Sequence, residues 1–281
     1  MIKGISYWSV RDGLANTHPI ADAAAEAAAE GFQTMELSLG AEGVLHVGTT
    51  QAECEVIRQT VEAAGLVVET TACGLSWGTN PIANDAATRE NAVLQHAAAL
   101  ERTAWLGAKA MLMVPGVVRS PISPDQTVRY DRALQRCREN TVRLLDTAER
   151  MEVDLCLENV WNGLFYSPLE LVQFLDDIDH PNLGVYFDVG NVLGYQQYPP
   201  HWIELLGKRI KRVHLKDYAE KFDWVGSYDF CDLLSGDMPW SETMAALRAI
   251  GYDKTLVAEM LPWKEGLLTR TSNAMDQIMR M

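Results

Sequence analysis

The sequence is poor in positive charge. It has 24 lysine and arginine residues against 38 aspartate and glutamate residues, which leaves a formal net charge of −14. Nucleic acids and anionic membrane surfaces bind proteins through concentrated lysine and arginine, so neither is expected as a partner. A small anionic substrate is not excluded, because it needs only one local cationic pocket.

Long apolar runs and paired cysteines are also missing. No apolar stretch approaches the roughly 20 residues that a membrane-spanning helix needs. The first ten residues, MIKGISYWSV, contain no apolar core followed by a small-residue cleavage site. The five cysteines are scattered and form no CxxC pair, as expected of reduced thiols. These absences predict a cytoplasmic protein that is neither exported nor inserted into a membrane.

A glycine-rich phosphate-binding turn is the third missing feature. The first predicted strand runs into SYWSVRDGLANTHP, which contains neither GxGxxG nor GxxxxGK[ST]. An open, doubly wound nucleotide-binding sheet usually carries one of these turns after its first strand. The sequence therefore disfavours that fold.

What the sequence does contain is a regular alternation of short β-rich apolar stretches and longer segments of helical periodicity. Strands are predicted at 3–8, 34–38, 66–72, 109–114, 153–158, 184–188, 212–216 and 255–259. Helices are predicted between them, for example at 19–31, 50–65, 85–107 and 125–150, and several end at a glycine: Gly31, Gly65, Gly107 and Gly251. Eight β/α units without a linker predict an α/β fold, a (β/α)₈ TIM barrel that forms one domain over residues 1–281.

Four successive predicted strands end on or near a side chain that can bind a metal. Glu158 ends LCLE, Asp188 ends GVYFD, His214 lies near the end of RVHLK, and Glu259 ends TLVAE. Because the C-terminal ends of all barrel strands meet at one face, these side chains are expected to lie together. Clustered carboxylates repel one another unless a cation compensates them, so the pattern predicts a divalent metal ion at this face. The donor set suits Mn²⁺ first, with Co²⁺, Mg²⁺ and Zn²⁺ as alternatives.

A metal held by carboxylates suits proton abstraction next to a carbonyl. Removing that proton leaves an enediolate, whose developing charge a divalent metal stabilises. Two carboxylates on opposite faces of the substrate permit removal from one side and return on the other, which inverts the carbon. A base on one side only favours isomerisation between aldose and ketose instead.

The segments LENVWN, YFDVGN, VHLKD and LVAEM resemble, in order and position, motifs of the sugar isomerase/epimerase superfamily of xylose-isomerase-like barrels. Enzymes similar to D-tagatose 3-epimerase and L-ribulose-5-phosphate 3-epimerase look closest. The resemblance implies that Glu158, Asp188, His214 and Glu259 bind one divalent cation, and that Glu158 and Glu259 are also the acid/base pair. It implies a metal-dependent epimerase or isomerase of a ketose, keto-sugar or sugar phosphate.

Two positions depart from the tagatose-epimerase-like pattern. Asn191 stands where those enzymes have a histidine, and Glu220 stands where they have an arginine, so their substrate is not carried over. The segments DVGN and HLKD are more similar to the ribulose-phosphate-epimerase branch.

Lys216 lies two residues after His214 and so points the same way along the strand. It is expected either to hold a substrate oxygen or to pair with Glu36, which ends the second strand.

Four tryptophans fall at or just after strand ends, on the presumed active-site face: Trp8, Trp77, Trp161 and Trp263. Aromatic faces pack against the C–H faces of sugars and exclude water. The predicted substrate-binding residues are these four together with Glu36, Asn191 and Lys216. An aromatic rim of this kind favours an unphosphorylated sugar or glycoside as the small-molecule substrate.

Two other functions stay open on the sequence. A lyase of the same fold, such as an inosose-type dehydratase or an enzyme that eliminates from a 3-keto-glycoside, starts with the same proton abstraction. A non-catalytic sugar-binding barrel subunit would keep the fold without the reaction, and a homo-oligomer is also left open.

An endonuclease IV-like member is disfavoured, because it needs three metals and many histidines. The remaining histidines, His96 among them, are expected in surface roles.

Overall fold

The computed structural model describes residues 1–121, 127–220 and 229–281. The strands within these ranges are β1 (Ile2–Ser6), β2 (Thr34–Leu39), β3 (Thr70–Cys73), β4 (Ala110–Met113), β5 (Asp154–Glu158), β6 (Leu183–Asp188), β7 (Ile210–Leu215), β8 (Asp217–Ala219), β9 (Asp229–Cys231) and β10 (Thr255–Ala258). Strands β1 to β7 and β10 form a closed barrel in which β10 lies between β7 and β1, and every neighbouring pair is parallel. The predicted (β/α)₈ barrel is confirmed.

Helices connect the barrel strands on the outside. Their bounds are α1 (Ile20–Ala29), α2 (Gln51–Ala63), α3 (Ala86–Trp105), α4 (Tyr130–Met151), α5 (Pro168–Ile178), α6 (Val189–Leu193), α7 (Pro199–Leu206), α8 (Trp240–Ala249) and α9 (Leu267–Ile278). The predicted start of the fourth helix, at 125–126, lies outside the described residues. None of the helices in the described ranges combines the length and apolar character needed to cross a bilayer.

Glycines end several helices as predicted. Gly31, Gly65, Gly107 and Gly251 follow α1, α2, α3 and α8 within two residues and have φ values of 78°, 87°, 81° and 75°. A residue in this left-handed region reverses the chain after a helix, and glycine adopts it without a steric cost. These turns return the chain to the bottom of the barrel, where the next strand begins.

The barrel interior contains a small apolar cluster of strand residues. Ala72, Ala110, Leu112, Cys156 and Tyr186 form one buried cluster, and Trp8 packs against it. A second, larger apolar core lies between the strands and the surrounding helices. Because both faces of the parallel strands are covered, the strands appear in the sequence as nearly continuous apolar runs. Polar side chains inside the barrel are thus exceptions that need a reason.

Two features of the strands differ from the sequence prediction. The third strand begins at Thr70 rather than at residue 66, because Val67 makes only an isolated bridge to Thr34. Beyond the eight predicted strands, β8 and β9 pair in an antiparallel hairpin after β7. Each has only three residues, too few for an alternating pattern to be visible in the sequence.

His96 is fully buried, which differs from the predicted surface role. Its ring nitrogens lie 3.1 Å from Ser76 Oγ and 2.7 Å from the carbonyl oxygen of Ala92. Burial lowers the pKa of His96 to about 4. His96 lies on the buried face of α3 with Ala92, Val93, Ala99, Leu100 and Thr103. Their spacing of three and four residues is that of one helix face, so the sequence did contain a signal for this burial.

We expect this histidine to make the protein less stable in mild acid. The unfolded chain binds a proton at His96 below about pH 6.5, whereas the folded protein does so only below about pH 4. The contribution of neutral His96 to the free energy of unfolding is therefore present above about pH 6.5 and is lost as the pH falls towards about 4. Between about pH 7.5 and pH 5 the loss is about 2 kcal/mol. Urea unfolding of the parent and of His96→Gln at both pH values measures it, with the exposed His201→Gln as control. An equal pH dependence in the parent and in His96→Gln would contradict the assignment.

Candidate active site and metal centre

Four side chains converge at the C-terminal mouth of the barrel. Glu158 is the last residue of β5, Asp188 the last of β6, His214 the penultimate residue of β7, and Glu259 follows β10 directly. Their ligand atoms all lie within 4.8 Å of one another, and all four residues are buried. The structure thus brings together the four residues that the strand ends predict.

The arrangement of atoms fits a divalent cation. Asp188 Oδ2, His214 Nδ1 and Glu259 Oε2 are buried and make no hydrogen bond of acceptable geometry within the described part of the chain. They meet only in close ionic contacts: His214 Nδ1 lies 2.8 Å from Glu259 Oε2, and Lys216 Nζ lies 2.9 Å from Asp188 Oδ2 and 3.0 Å from Glu259 Oε2. Carboxylate oxygens and one imidazole nitrogen without directional partners are a suitable donor set for a divalent cation.

Glu36 supports His214 from below. It is fully buried, and its Oε1 lies 2.8 Å from His214 Nε2, while Thr70 and Tyr186 donate hydroxyl hydrogen bonds to Oε2. A carboxylate that accepts from Nε2–H fixes the ring and leaves Nδ1 for a metal, as is common for metal-binding histidines. Glu36, a predicted substrate-binding residue, is not among the described residues that line the cavity above this cluster.

The predicted alternative of a Lys216–Glu36 ion pair is wrong. Lys216 Nζ contacts Asp188 and Glu259, while Glu36 contacts His214. The physical reason is the layering of inward-facing residues: His214 and Lys216 point the same way, but Lys216 lies one step nearer to the mouth. Glu36 lies within β2 rather than at the predicted strand end, so it meets the layer of His214 and the hydroxyl groups of Thr70 and Tyr186.

The carboxylates have strongly perturbed titration behaviour. Burial raises the pKa of Glu158 to about 8, with Lys216 acting in the opposite direction. Burial also acts to raise the pKa of Glu259, but the charges of Lys216 and His214 outweigh it and lower the value to about 2. The pKa of His214 is well above its ordinary range, because Glu36 and Glu259 overcome the effect of burial. Nearby positive charge therefore keeps Glu259 ionised, whereas burial favours the protonated form of Glu158.

A cavity of about 580 Å³ opens above the cluster. The described residues of its lining include Trp8 and Trp77 among apolar groups, and three charged side chains, Glu158, Lys216 and Glu259. Concave sites of this size, with an apolar lining and a few polar groups, accommodate small-molecule ligands. Two of the four predicted tryptophans thus lie at this cavity.

Trp161 and Trp263 are not among the described residues of that lining. Trp161 stacks on Phe230 at 5.2 Å between ring centroids and donates its Nε1–H to the carbonyl of Asn191 at 3.0 Å. Trp263 lies under the guanidinium of Arg11, 4.7 Å from the ring centroid. Their position just past strand ends predicted the correct face of the barrel, but the loops turn both rings towards protein neighbours.

Asn191 also contacts protein rather than the described cavity surface. Its backbone N–H donates to Asp188 Oδ1 at 3.0 Å, and its side-chain amide donates to the carbonyl of Asn159 at 2.9 Å. The first of these bonds occupies one oxygen of Asp188 and leaves Oδ2 directed at the cluster. Asn191 thus orients a predicted ligand in this structure.

Two residues that the sequence reasoning did not single out hold the site together. Asn159 joins the ends of β5 and β6, because its side chain accepts from the backbone N–H of Asp188 and donates to the carbonyl of Asp188, both at 2.8 Å. Gly190 packs against Lys216, and a Cβ at this glycine would lie 2.6 Å from Lys216 Cβ. The signals were in the sequence: Asn159 directly follows Glu158 in LEN, and Gly190 lies within DVGN.

Comparison with known proteins agrees with this architecture. Residues 24–274 match the family model of the xylose isomerase-like TIM barrel, so the chain belongs to that family. Solved structures with a similar fold include two epimerases. A D-psicose 3-epimerase from Clostridium cellulolyticum H10, solved with D-tagatose, superposes with a TM-score of 0.80 at 20% identity over 100% of this chain and 98% of that chain.

Two further similarities widen the range of reactions within the fold. A 3-keto-D-glucoside 4-epimerase from E. coli superposes with a TM-score of 0.77 at 14% identity, over 100% of both chains. A 3-oxo-isoapionate decarboxylase from Pectobacterium atrosepticum is 29% identical over 136 residues, which are 47% of this chain and 46% of that protein. The chain thus matches about half the length of this curated relative. The proteins to which this chain is similar thus include epimerases and a decarboxylase.

Proposed function

We propose that the protein is a divalent-metal-dependent epimerase or isomerase of a small keto-sugar, with Mn²⁺ as the expected metal. One observation carries the proposal. Glu158 and Glu259 lie in the four-residue cluster and also line the cavity, whereas Asp188 and His214 are not among the described lining residues. The two glutamates are therefore placed to contact both a cation and a substrate, and they reach the cavity from different strands.

The reaction follows from these positions. Glu158, Asp188, His214 and Glu259 would hold a divalent cation, which would supply Lewis-acid stabilisation of negative charge on substrate oxygens. One glutamate accepts the proton from the carbon next to the carbonyl, and the other returns a proton to that carbon. Trp8 and Trp77 pack against the C–H faces of the sugar and exclude water from the reacting carbon.

Proton exchange with solvent tests this proposal directly. We expect the Mn²⁺-loaded protein in D₂O to exchange the proton next to the carbonyl in at least one of D-psicose, D-tagatose, L-ribulose and a 3-keto-glucoside, read by proton NMR. The exchange should disappear after removal of the metal with EDTA. L-ribulose 5-phosphate compared with L-ribulose tests the expected preference for an unphosphorylated sugar. Absence of exchange in every sugar, with metal bound, would contradict an epimerase or isomerase of these sugars, none of which carries a carboxylate.

Decarboxylation of a 3-oxo sugar acid is the second candidate, and the similarity to the decarboxylase favours it. In that reaction the bond between the carboxylate and the neighbouring carbon breaks, CO₂ leaves, and its bonding electrons form an enolate that a glutamate then protonates. The same cation and acid would serve both reactions. Release of CO₂ identifies a decarboxylase, a new vinyl proton identifies a dehydratase, and neither occurs in an epimerase.

We also propose a cytoplasmic location. All five cysteines are free; Cys54, Cys73, Cys137 and Cys156 are buried and Cys231 is half-buried. Burial raises the pKa of the Cys73 thiol to about 12, which disfavours the reactive thiolate. Inert, unpaired thiols support a role in packing within a reducing compartment.

A further inference from the structure

Lys216 is a positive charge built into the metal-binding cluster. Its Nζ lies 2.9 Å from Asp188 Oδ2 and 3.0 Å from Glu259 Oε2, two of the atoms that lack directional hydrogen bonds. The residue is 9% exposed, and it is one of the residues that line the cavity. A single ammonium group therefore lies at the boundary between the cluster and the substrate space.

The surroundings keep the lysine stem in place while its head remains next to open space. Gly190 packs against the Cβ and backbone of Lys216, where any larger residue would collide. The ring of Phe230 lies 5.4 Å from Nζ, close enough for a cation–π contact. These contacts hold the Cβ and backbone of Lys216 in place and limit the positions that its ammonium group can reach.

We propose that Lys216 exchanges its partners when a divalent cation is bound, and that its ammonium group then binds a carboxylate of the substrate. The inference rests on the metal-dependent function proposed above. Lys216 and a cation held by Asp188 and Glu259 compete for the same two oxygens, and their like charges repel. The carboxylates that hold Nζ are then neutralised by the cation, and the lysine head moves into the cavity that Lys216 helps to line.

The charge of the cavity indicates the class of substrate. Lys216 is the one cationic side chain among the described residues that line it, against two glutamates. A phosphate group is usually bound by several donors or by an arginine fork, whereas one ammonium suffices for a singly charged carboxylate. The substrate class assigned by this geometry is a small sugar acid that also carries a carbonyl group.

Lys216→Met tests both parts of the inference, because it keeps the length of the side chain and removes the charge. We expect the variant to bind Mn²⁺ at least about fivefold more tightly than the parent in calorimetric titration, since the competing charge is gone. We expect the Mn²⁺-loaded variant to bind D-erythronate at least about tenfold more weakly than the parent, and to bind the neutral alditol erythritol within about threefold of the parent. If Lys216 had only a structural role, its substitution would weaken the binding of Mn²⁺ and of both ligands.

Lys3→Met is the matched control. Lys3 is 7% exposed and pairs with Asp276 at 2.7 Å, at the opposite end of β1 from the cavity. It should leave Mn²⁺ and erythronate affinities unchanged. If Lys216→Met has a collapsed circular dichroism spectrum, Lys216→Gln takes its place with the same expected results.

The outcomes separate the two proposals. If the parent binds no Mn²⁺, the metal-dependent function fails and this inference fails with it. If the parent binds Mn²⁺ but Lys216→Met does not bind it more tightly, only the role of Lys216 is overturned. The same holds if the variant loses affinity for erythronate and erythritol equally. Tighter Mn²⁺ binding together with a selective loss of erythronate supports the inference.

Discussion

Replacing either cavity glutamate by glutamine should lower kcat by about 10²- to 10⁴-fold, the range that general acid–base catalysis contributes. The amide oxygen of Glu158→Gln or Glu259→Gln can still coordinate a cation, although more weakly, but it cannot accept the proton. The loss in kcat should therefore far exceed the loss in Mn²⁺ affinity. Steady-state kinetics on the sugar that exchanges in D₂O, together with metal analysis of each variant, measures both quantities.

The double variant and a control sharpen this result. The kcat of the double variant Glu158→Gln/Glu259→Gln should be little lower than that of the worse single variant, because the effects of groups that act as one unit are strongly non-additive. Glu265→Gln, at an exposed glutamate in the segment after β10, should keep the parent kcat. A single variant that exchanges a proton with solvent without inverting the carbon shows which face its remaining glutamate serves. Turnover near that of the parent, with metal bound, would remove that glutamate from the mechanism.

Asp188→Ala and His214→Ala should each lower Mn²⁺ affinity by at least about 10- to 100-fold, a loss found even for groups that only support metal ligands. Each substitution deletes a buried atom that points into the cluster without a directional hydrogen bond. Calorimetric titration with Mn²⁺ gives the affinities, and circular dichroism shows that the barrel remains folded. Both residues serve the mouth of the barrel rather than its apolar core.

A second buried histidine provides the control for this experiment. His96 is as fully buried as His214 but lies on α3, away from the cluster, so His96→Gln should keep the Mn²⁺ affinity of the parent. This comparison separates the loss of a ligand from the general effect of removing a buried imidazole. Unchanged Mn²⁺ loading in both Asp188→Ala and His214→Ala would overturn the metal assignment.

The barrel and the four converging side chains were predictable from sequence. Alternating β and helical segments with glycine caps admit few architectures, and a closed parallel barrel brings every strand end to one mouth. A ligand-type residue at the end of each of four strands therefore predicts a cluster without any knowledge of contacts. Even the boundaries are close: β5 and β6 end on Glu158 and Asp188 as predicted, while β10 ends one residue earlier, at Ala258.

Tertiary structure alone decided which side chains meet across the barrel. The contact between Glu36 and His214 joins residues 178 positions apart, and the partners of Lys216 come from two other strand ends. Sequence periodicity shows that a side chain points inward but not which layer it reaches, because layer and rotamer depend on the tilt of all eight strands. The same limit explains why Trp161 and Trp263 were predicted on the correct face yet turn towards protein neighbours. Strand-end chemistry was thus determined locally, whereas the pairing of charges within the mouth depended on the closed barrel.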